Sequence, residues 1–375
     1  MRFLHVADLH IGRRLSGFSL EQEQRYALEQ ILLMAKEQAD AVLIAGDLYD
    51  KSQPSGAAVD MVSWFLTELS RLAKPVFVIS GNHDSPQQVA YCGGLLSGAQ
   101  VHVAGAFEGH VPCHVLTDEH GPVHVHLLPY LRPVQVKQAL PQQDIATYDD
   151  AVRAVLSSMQ LDPQARHVLV MHQFLAGGTR SDSEMVPLGG VDAVDPHLFD
   201  TFDYVALGHL HSPQRMADGK MCYSGSPYKY SLSEEHQRKA ALLVTLGAKK
   251  GALQVDTLPL QLLRDVRSVR GPLQQLLRAQ RSDDYVYAEL TDPIMPLDPG
   301  GALLTIYPNL VGYRMAELQG GTGEFTGTTL DESKSPLEHF VDFYVAQNGS
   351  EPQPEHLAIM KRIIAQAQED AHETA

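Results

Sequence analysis

Five short apolar runs, each giving way abruptly to a turn of carboxylate, amide or imidazole residues, constrain how this chain can fold. The clearest is Pro75-Val76-Phe77-Val78-Ile79-Ser80, which reads as a buried strand and delivers Gly81-Asn82-His83-Asp84. Ser85-Pro86 follows as a helix start, with Ser as N-cap and Pro as first helical residue. The same alternation recurs elsewhere. Residues 2–7 deliver Asp8-Leu9-His10, residues 41–45 deliver Gly46-Asp47, residues 168–171 deliver His172-Gln173, and residues 204–207 deliver Gly208-His209-Leu210-His211. In α/β proteins the sheet edge at the strand ends is where ligands bind.

Helical spacing fills the intervals. Leu20, Ala27, Leu28, Ile31, Leu32 and Ala35 predict a helix over 20–38, and Val59, Val62, Phe65, Leu66 and Leu69 predict one over 56–73. Another is expected over about 149–159. From about 100 to 131, and again around 221–225 and 240–246, short strands are expected, with a hairpin turn at Gly247 to Gly251. Strands alternating with helices, then antiparallel strands, predict an α/β core of two packed sheets with helices outside. After residue 262 the character changes. Arg264, Arg267, Arg270, Arg278 and Arg281 face only Asp265, a strand is expected over 285–290, and Pro and Gly interrupt 293–301. Gly320 to Gly327 reads as a linker. Ser335-Pro336-Leu337-Glu338 is a capping box opening a helix with Leu337, Phe340, Val341 and Tyr344 on one face, and a second helix is expected over about 354–369.

A length of 375 residues suits one large domain with one or two small ones. No apolar run is long enough to span a membrane, and the N-terminus runs straight into a strand without signal-peptide character. Three cysteines without CxxC spacing argue against a disulfide framework and a cysteine zinc site. The expected compartment is the cytoplasm. A formal net charge of −16 opposes general affinity for nucleic acid, so any such role needs a local site or a partner. Two bound divalent cations would add about four positive charges where carboxylates concentrate.

Together the strand ends offer Asp8, His10, Asp47, Asn82, His172, His209 and His211. Carboxylate, amide and imidazole donors without thiolate suit Mn, Fe or Zn. Seven ligands exceed what one tetrahedral ion takes, and a dinuclear site with a bridging carboxylate accommodates them. Ions ~3.5–4 Å apart clamp both the attacking and leaving oxygens of an in-line displacement. Asp47 is the natural bridge, since both of its oxygens can coordinate. His124 and His126 alternate on one strand face with no carboxylate motif nearby and read as structural, as does His5.

This ordered set of five blocks resembles the calcineurin-like metallophosphoesterase superfamily. Gly46-Asp47-Leu48-Tyr49-Asp50, Ser181-Asp182-Ser183-Glu184, Ala206 to His211 and Tyr223-Ser224-Gly225-Ser226-Pro227 look like its branch of bacterial nuclease subunits that work with an SbcC-type ATPase. The resemblance continues through Ser335-Pro336-Leu337. It implies a four-layer α-β-β-α metallophosphoesterase sandwich over 1–261, a small α+β DNA-capping domain over 262–325, and a linker and helical tail over 326–375. Segment 331–375 would dock on the ATPase. Two divalent cations are implied, manganese first, with Mg, Fe or Zn as alternatives. Asp8, His10, Asp47 and His211 would hold one; Asp47, Asn82, His172 and His209 would hold the other. His83 would protonate the leaving oxygen or stabilise phosphate charge, held by a neighbouring carboxylate, Asp50 or Asp84. Relatives from other kingdoms carry histidine where this chain has Asp50. The implied reaction is Mn-dependent DNA phosphodiester hydrolysis, by a homodimer joined through helices around 56–73 and 86–97. On the core motifs alone two other classes stay open: a phosphoesterase for nucleotides or phosphoproteins, and a tether without activity. The cap and tail argue against the first, and the intact ligand set against the second.

Overall fold

Parallel strands that are apolar on both faces must be covered on both sides, and the computed structural model shows how this chain does so. It describes residues 1–91, 93–184, 192–316, 335–348 and 350–373. The expected linker at Gly320 to Gly327 lies outside them. The chain opens with β1 (Arg2–Val6), a hairpin of β2 (Arg14–Leu15) and β3 (Phe18–Ser19), helix α1 (Glu21–Gln38), β4 (Ala41–Ala45) and α2 (Gly56–Arg71). It continues through β5 (Val76–Ile79), α3 (Pro86–Val89), α4 (Gly93–Gly98), β6 (Val101–Ala104), β7 (Cys113–Asp118) and β8 (Gly121–Leu128). Then come α5 (Pro133–Ala139), α6 (Tyr148–Ser158), β9 (Arg166–His172), β10 (Tyr204–Gly208), β11 (Gln214–Met216), β12 (Met221–Tyr223), β13 (Ala240–Leu246) and β14 (Leu253–Pro259).

Two six-stranded sheets result, in the orders β14-β13-β1-β4-β5-β6 and β11-β12-β10-β9-β8-β7. Alternate residues of each strand serve different layers. Leu4, Val42, Ile44 and Val78 pack under Leu28 and Ile31 of α1 and Val62 and Phe65 of α2. Phe3, Leu43 and Phe77 face the other way and meet Val125, Val168 and Ala206 of the second sheet. The outer face of that second sheet, including Leu169 and Val205, is closed by Val136 of α5 and Val152 and Val155 of α6. This is the expected four-layer α-β-β-α arrangement. Parallel pairing sets Val6 opposite Ile44, Ala45 opposite Ile79, and His172 opposite Gly208. The five polar turns therefore leave from the C-terminal ends of neighbouring strands.

The helix expected over 86–97 is two short pieces, α3 and α4. Gly93-Gly94 lies where a continuous helix would pass, and each glycine costs about 1 kcal/mol relative to alanine there. His124 and His126 are on one face, and His126 Nε2 is 2.9 Å from His167 Nδ1 while His167 Nε2 is 2.8 Å from the Asp162 carbonyl. These rings bond to each other and the main chain. His5 is buried, with Nδ1 2.9 Å from the Tyr204 hydroxyl.

Contacts divide the chain into two compact units. One comprises Met1–Ser268, Arg281–Tyr287 and Tyr307–Val311; the other comprises Val269–Gln280, Ala288–Ile306 and Gly312–Ala375. Strands β15 (Val266–Gly271), β16 (Tyr285–Leu290) and β17 (Leu310–Met315) pair in that order. The second unit contains α7 (Leu273–Leu276), α8 (Pro299–Leu304), α9 (Pro336–Asn348) and α10 (Pro354–Glu373). The capping box opening α9 is formed, with Ser335 N donating to Glu338 (2.7 Å) and Glu338 N to Ser335 Oγ (3.3 Å).

A buried charge cluster ties the strand edge opposite the polar turns. Arg166, 1% exposed, donates to both Asp118 oxygens, to Gly121 O (2.6 Å) and to Gly247 O (2.9 Å), and the Met1 ammonium also reaches Asp118 (2.9 Å). Arg166 holds the Asp118 carboxyl well below the usual carboxylate range. A carboxylate depressed on folding contributes stability above its unfolded pKa of about 3.9 and loses it as pH falls through the folded value. Asp118→Asn leaves Arg166 buried and uncompensated, so it is expected to lower unfolding free energy at pH 7 by about 3–5 kcal/mol. Urea titrations should show the gap between wild type and variant closing progressively below about pH 4.

Candidate metal centre

The turns that close the parallel strands are held in a conformation few side chains adopt. Asp8 (φ 53°), His10 (φ 44°), Asp47 (φ 52°) and His209 (φ 104°) all lie in the left-handed region, at a cost of roughly 1–2 kcal/mol each. Hydrogen bonds between turns compensate. Asp8 N donates to Gly46 O (3.1 Å), His10 N to Asp47 O (3.0 Å), and His209 N to both Asp8 carboxylate oxygens (2.9 and 3.1 Å). Gln24, projecting from α1, donates to His10 O at 2.7 Å. Gly81 is required for close approach: a Cβ there would overlap the Asp47 carboxylate and main chain.

These turns converge the predicted side chains. Asp8, His10, Asp47, His172, His209 and His211 are buried, while Asn82 and His83 are half-buried. Asp8, His10 and His211 offer ligand atoms all within 4.8 Å of one another, and so do Asp8, Asp47 and His172. His172 Nε2 and His209 Nδ1 lie 3.0 and 2.9 Å from Asn82 Oδ1. Asp47 Oδ2 lies 3.4 Å from His172 Nε2 and 3.6 Å from His10 Nε2, between the two groups.

The chemistry of these contacts fits bound cations. His172 Nδ1 is 2.8 Å from the Ala45 carbonyl, which can only accept, so Nδ1 carries a hydrogen. In the neutral ring Nε2 then presents a lone pair to two further acceptors, Asn82 Oδ1 and Asp47 Oδ2. His10 Nε2 and His211 Nε2 lie 3.0 Å apart, with the donor set by the ring tautomers. Acceptors converging on acceptors are stable only around positive charge. Without cations, protons take their place, and the titration tendencies show where. Burial pushes the Asp47 carboxyl upward, but His172, His10 and His83 outweigh it and hold it well below the usual range. Burial lowers His172 while Asp47 and Asp8 raise it, leaving it at about 9. Burial, with Asp47 and Glu184 nearby, drives Asp8 well above its ordinary value, against the opposing pull of His172. His10 and His209 are pushed well down by burial.

His83 stands beside this group, its ring 4.8 Å from that of His10. The expectation that the carboxylate of Asp50 or Asp84 holds it is corrected. His83 Nδ1 is 2.9 Å from the main-chain carbonyl of Asp50. The Asp50 carboxylate instead pairs with Arg13 (2.9 Å), although a ligand atom each of His10, Asp50 and His83 lie within 4.8 Å of one another. Asp84 organises the turns: it accepts from Leu48 N (3.1 Å), Tyr49 N (2.9 Å) and Gly81 N (2.9 Å). Burial and Asp47 push its carboxyl up to about 6 against those three donors.

Residues given no role from the sequence surround His211. Glu184 accepts from His211 N, and Lys239 Nζ, fully buried, donates to His211 O at 2.9 Å. Lys239 also pairs with the buried Glu234. A signal existed: Ser181-Asp182-Ser183-Glu184 and Ser231-Leu232-Ser233-Glu234 repeat one Ser-x-Ser-Glu pattern, and Ser181 N donates to Glu184 at 2.6 Å as in a capping turn. Beside Asn82 and His83 opens a cleft of about 710 Å³, also lined by Lys51, Tyr130 and Arg132.

Comparison with known proteins places this arrangement. The calcineurin-like phosphoesterase family model matches residues 1–213, and a model described as the type 5 capsule protein repressor C-terminal domain matches residues 262–348. A curated relative, the D subunit of the nuclease SbcCD from Staphylococcus epidermidis, is 33% identical over 322 residues, spanning 83% of this chain and 84% of the relative. Among solved structures, TT1561 of Thermus thermophilus aligns with a TM-score of 0.39 and 14% identity, over 68% of this chain and 98% of that one. GAP50, the anchor in the inner membrane complex of Plasmodium, gives 0.39 and 14% over 70% and 89%. The chain belongs to the calcineurin-like phosphoesterase family of metal-dependent hydrolases, and within it to the family of the SbcCD nuclease D subunits.

Proposed function

We propose that this chain is a Mn-dependent DNA nuclease, a double-strand exonuclease and single-strand or hairpin endonuclease that works with an SbcC-type ATPase on DNA ends in repair and recombination. The observation that carries the proposal is the lone-pair convergence at Asp47, flanked by an imidazole with no place in that ligand set. Asp8, His10, Asp47 and His211 hold one divalent cation, and Asp47, Asn82, His172 and His209 the second. When bound, such a pair neutralises phosphate charge and activates water for in-line attack. The protein's own residues do the rest. The Asp50 carbonyl accepts a hydrogen bond from His83 Nδ1, which leaves Nε2 free to exchange a proton with the leaving oxygen. Asp50 and Asp84 act as positioning groups, Asp50 through its main chain and Arg13, Asp84 through the Gly81 turn.

Substrate class follows from charge. In a protein of net charge −16, Lys51 and Arg132 stand in the cleft beside His83 without a carboxylate partner among the described residues, and a phosphodiester backbone suits them. In the arginine-rich segment Arg264 pairs with Glu23, Arg267 with Asp284 and Arg270 with Glu289. Arg278 and Arg281 have no such partner among the described residues and are the better DNA contacts within a capping domain over 262–325. The tail carries nine acidic and three basic residues over 331–375, and Phe343, Ile359 and Ile363 are exposed on its helices. Such an acidic, apolar-faced pair suits docking on the ATPase. Tyr91 (77% exposed) and Leu95 (80%) support a homodimer contact near α3 and α4. Among the described residues no helix is long and apolar enough to cross a membrane.

The decisive assay offers blunt duplex ends, hairpins and a small phosphodiester to the protein in Mn, Mg or Zn, with and without the partner ATPase. Mn-dependent cleavage should favour the DNA ends, and a preference for the small diester would overturn the reading. In the same assay His83→Gln is expected to lower turnover by ~10²–10⁴, while elemental analysis finds metal content unchanged. Deleting residues 331–375 should abolish co-purification with the ATPase and leave Mn-dependent diesterase activity in place.

A further inference from the structure

The four imidazoles at the centre are not secured alike. His172 is fixed through Nδ1 by a main-chain carbonyl of the first sheet. His10 Nδ1 and His209 Nε2 have no hydrogen-bond partner among the described residues. His211 is held by side chains that arrive from two distant segments. Ser183 Oγ lies 2.7 Å from His211 Nδ1 and donates to Glu234 Oε1. Glu234 Oε1 is itself 3.4 Å from the ring nitrogen, and its other oxygen receives Lys239 Nζ. Lys239 is further held by Ser226 Oγ (2.9 Å) and Gln237 Oε1 (2.7 Å). Arg13 ties the main chain of Ser183 at 3.3 Å.

This relay dictates where the His211 hydrogen sits. A hydroxyl has one proton. With that proton directed to the Glu234 carboxylate, which only accepts, Ser183 Oγ can serve Nδ1 only as an acceptor. Nδ1 therefore carries the ring hydrogen, and Nε2 is left bare, facing His10 Nε2. A network that served only to pack the 181–184 turn would need no such directionality.

We infer that Ser183 and Glu234 are positioning residues that lock His211 in its ligating tautomer, and that they set the affinity of one cation of the pair, the one on the Asp8, His10 and His211 side. The inference rests on the dinuclear reading above. Selectivity follows from geometry: His172 takes its tautomer from Ala45, which the relay does not touch. Partners of this kind, behind a ligating imidazole, commonly govern metal affinity by ~10–100-fold.

The test is Mn(II) titration of the full-length protein by calorimetry, with free Mn counted by electron paramagnetic resonance, alongside thermal unfolding of the metal-free form. Wild type should bind two ions. Ser183→Ala should bind one ion as wild type does and the other ~10–100-fold more weakly, with metal-free unfolding unchanged. Ser183→Thr keeps the hydroxyl and should restore the weakened site. Glu234→Gln should weaken the same site; because it leaves Lys239 buried without its counter-charge, Ser183→Ala carries the test if that variant fails to fold. Equal weakening of both ions, no weakening, or failure of Ser183→Thr to rescue would overturn the inference while the dinuclear reading stands. A wild type that binds fewer than two ions would overturn that reading itself, and this inference with it.

Discussion

Asp47 occupies a place where two imidazole nitrogens from different parts of the chain, and a second buried carboxylate close by, all direct electron density into one small volume. Two carboxylates with oxygens within 4.8 Å repel by about 3 kcal/mol or more even at an effective dielectric of 20. Both are buried, which adds desolvation to repulsion. The protein alone can relieve this only by holding protons, and the raised His172 and Asp8 show where it would put them. Cations relieve it without consuming ligands. Much around this point, from the Gly81 turn to the Asp84 hydrogen bonds, can be understood as scaffolding that keeps like groups close against their mutual repulsion.

The scaffolding is mostly main chain. Four of the seven proposed ligand positions are non-glycine residues in left-handed conformation, and they stay there because each strand end bonds to its neighbour's. Strain of this sort survives only where the surrounding structure over-determines it. Here the over-determination comes from two sheets whose apolar faces fix the register, since a one-residue slip would turn Phe3 and Leu43 out of the layer between the sheets.

Much of this was legible in the sequence because each ligand block follows its own strand directly, and a buried apolar run ending in Gly-Asp or Gly-Asn-His is a local signal. Two packed sheets with helices outside followed from the strand and helix periods, and the family resemblance implied their four-layer order. What escaped was non-local or depended on atoms rather than residue types. Glu234 meets Ser183 across 51 positions, which spacing cannot reveal. Asp50 supports His83 through its carbonyl, and no residue-level reasoning distinguishes a carbonyl role from a carboxylate role. The split between α3 and α4 falls just before Gly93-Gly94, poor helix formers that apolar periodicity does not weigh.

The proposed ligand set is divided between the sheets: Asp8, His10, Asp47 and Asn82 leave strands of the first, His172, His209 and His211 strands of the second. Between its rims the sandwich is joined mainly by aliphatic and aromatic side chains, contacts that are strong but without direction, with His5 to Tyr204 as a polar exception. A cation seated among these seven groups would act as a rivet at one rim, adding directional bonds to the few that already cross there, such as His209 N to Asp8 and His172 Nδ1 to the Ala45 carbonyl. Loading and sheet docking then become thermodynamically linked. An ion withdrawn would leave that rim with facing charges, inclined to part first when the sandwich loosens.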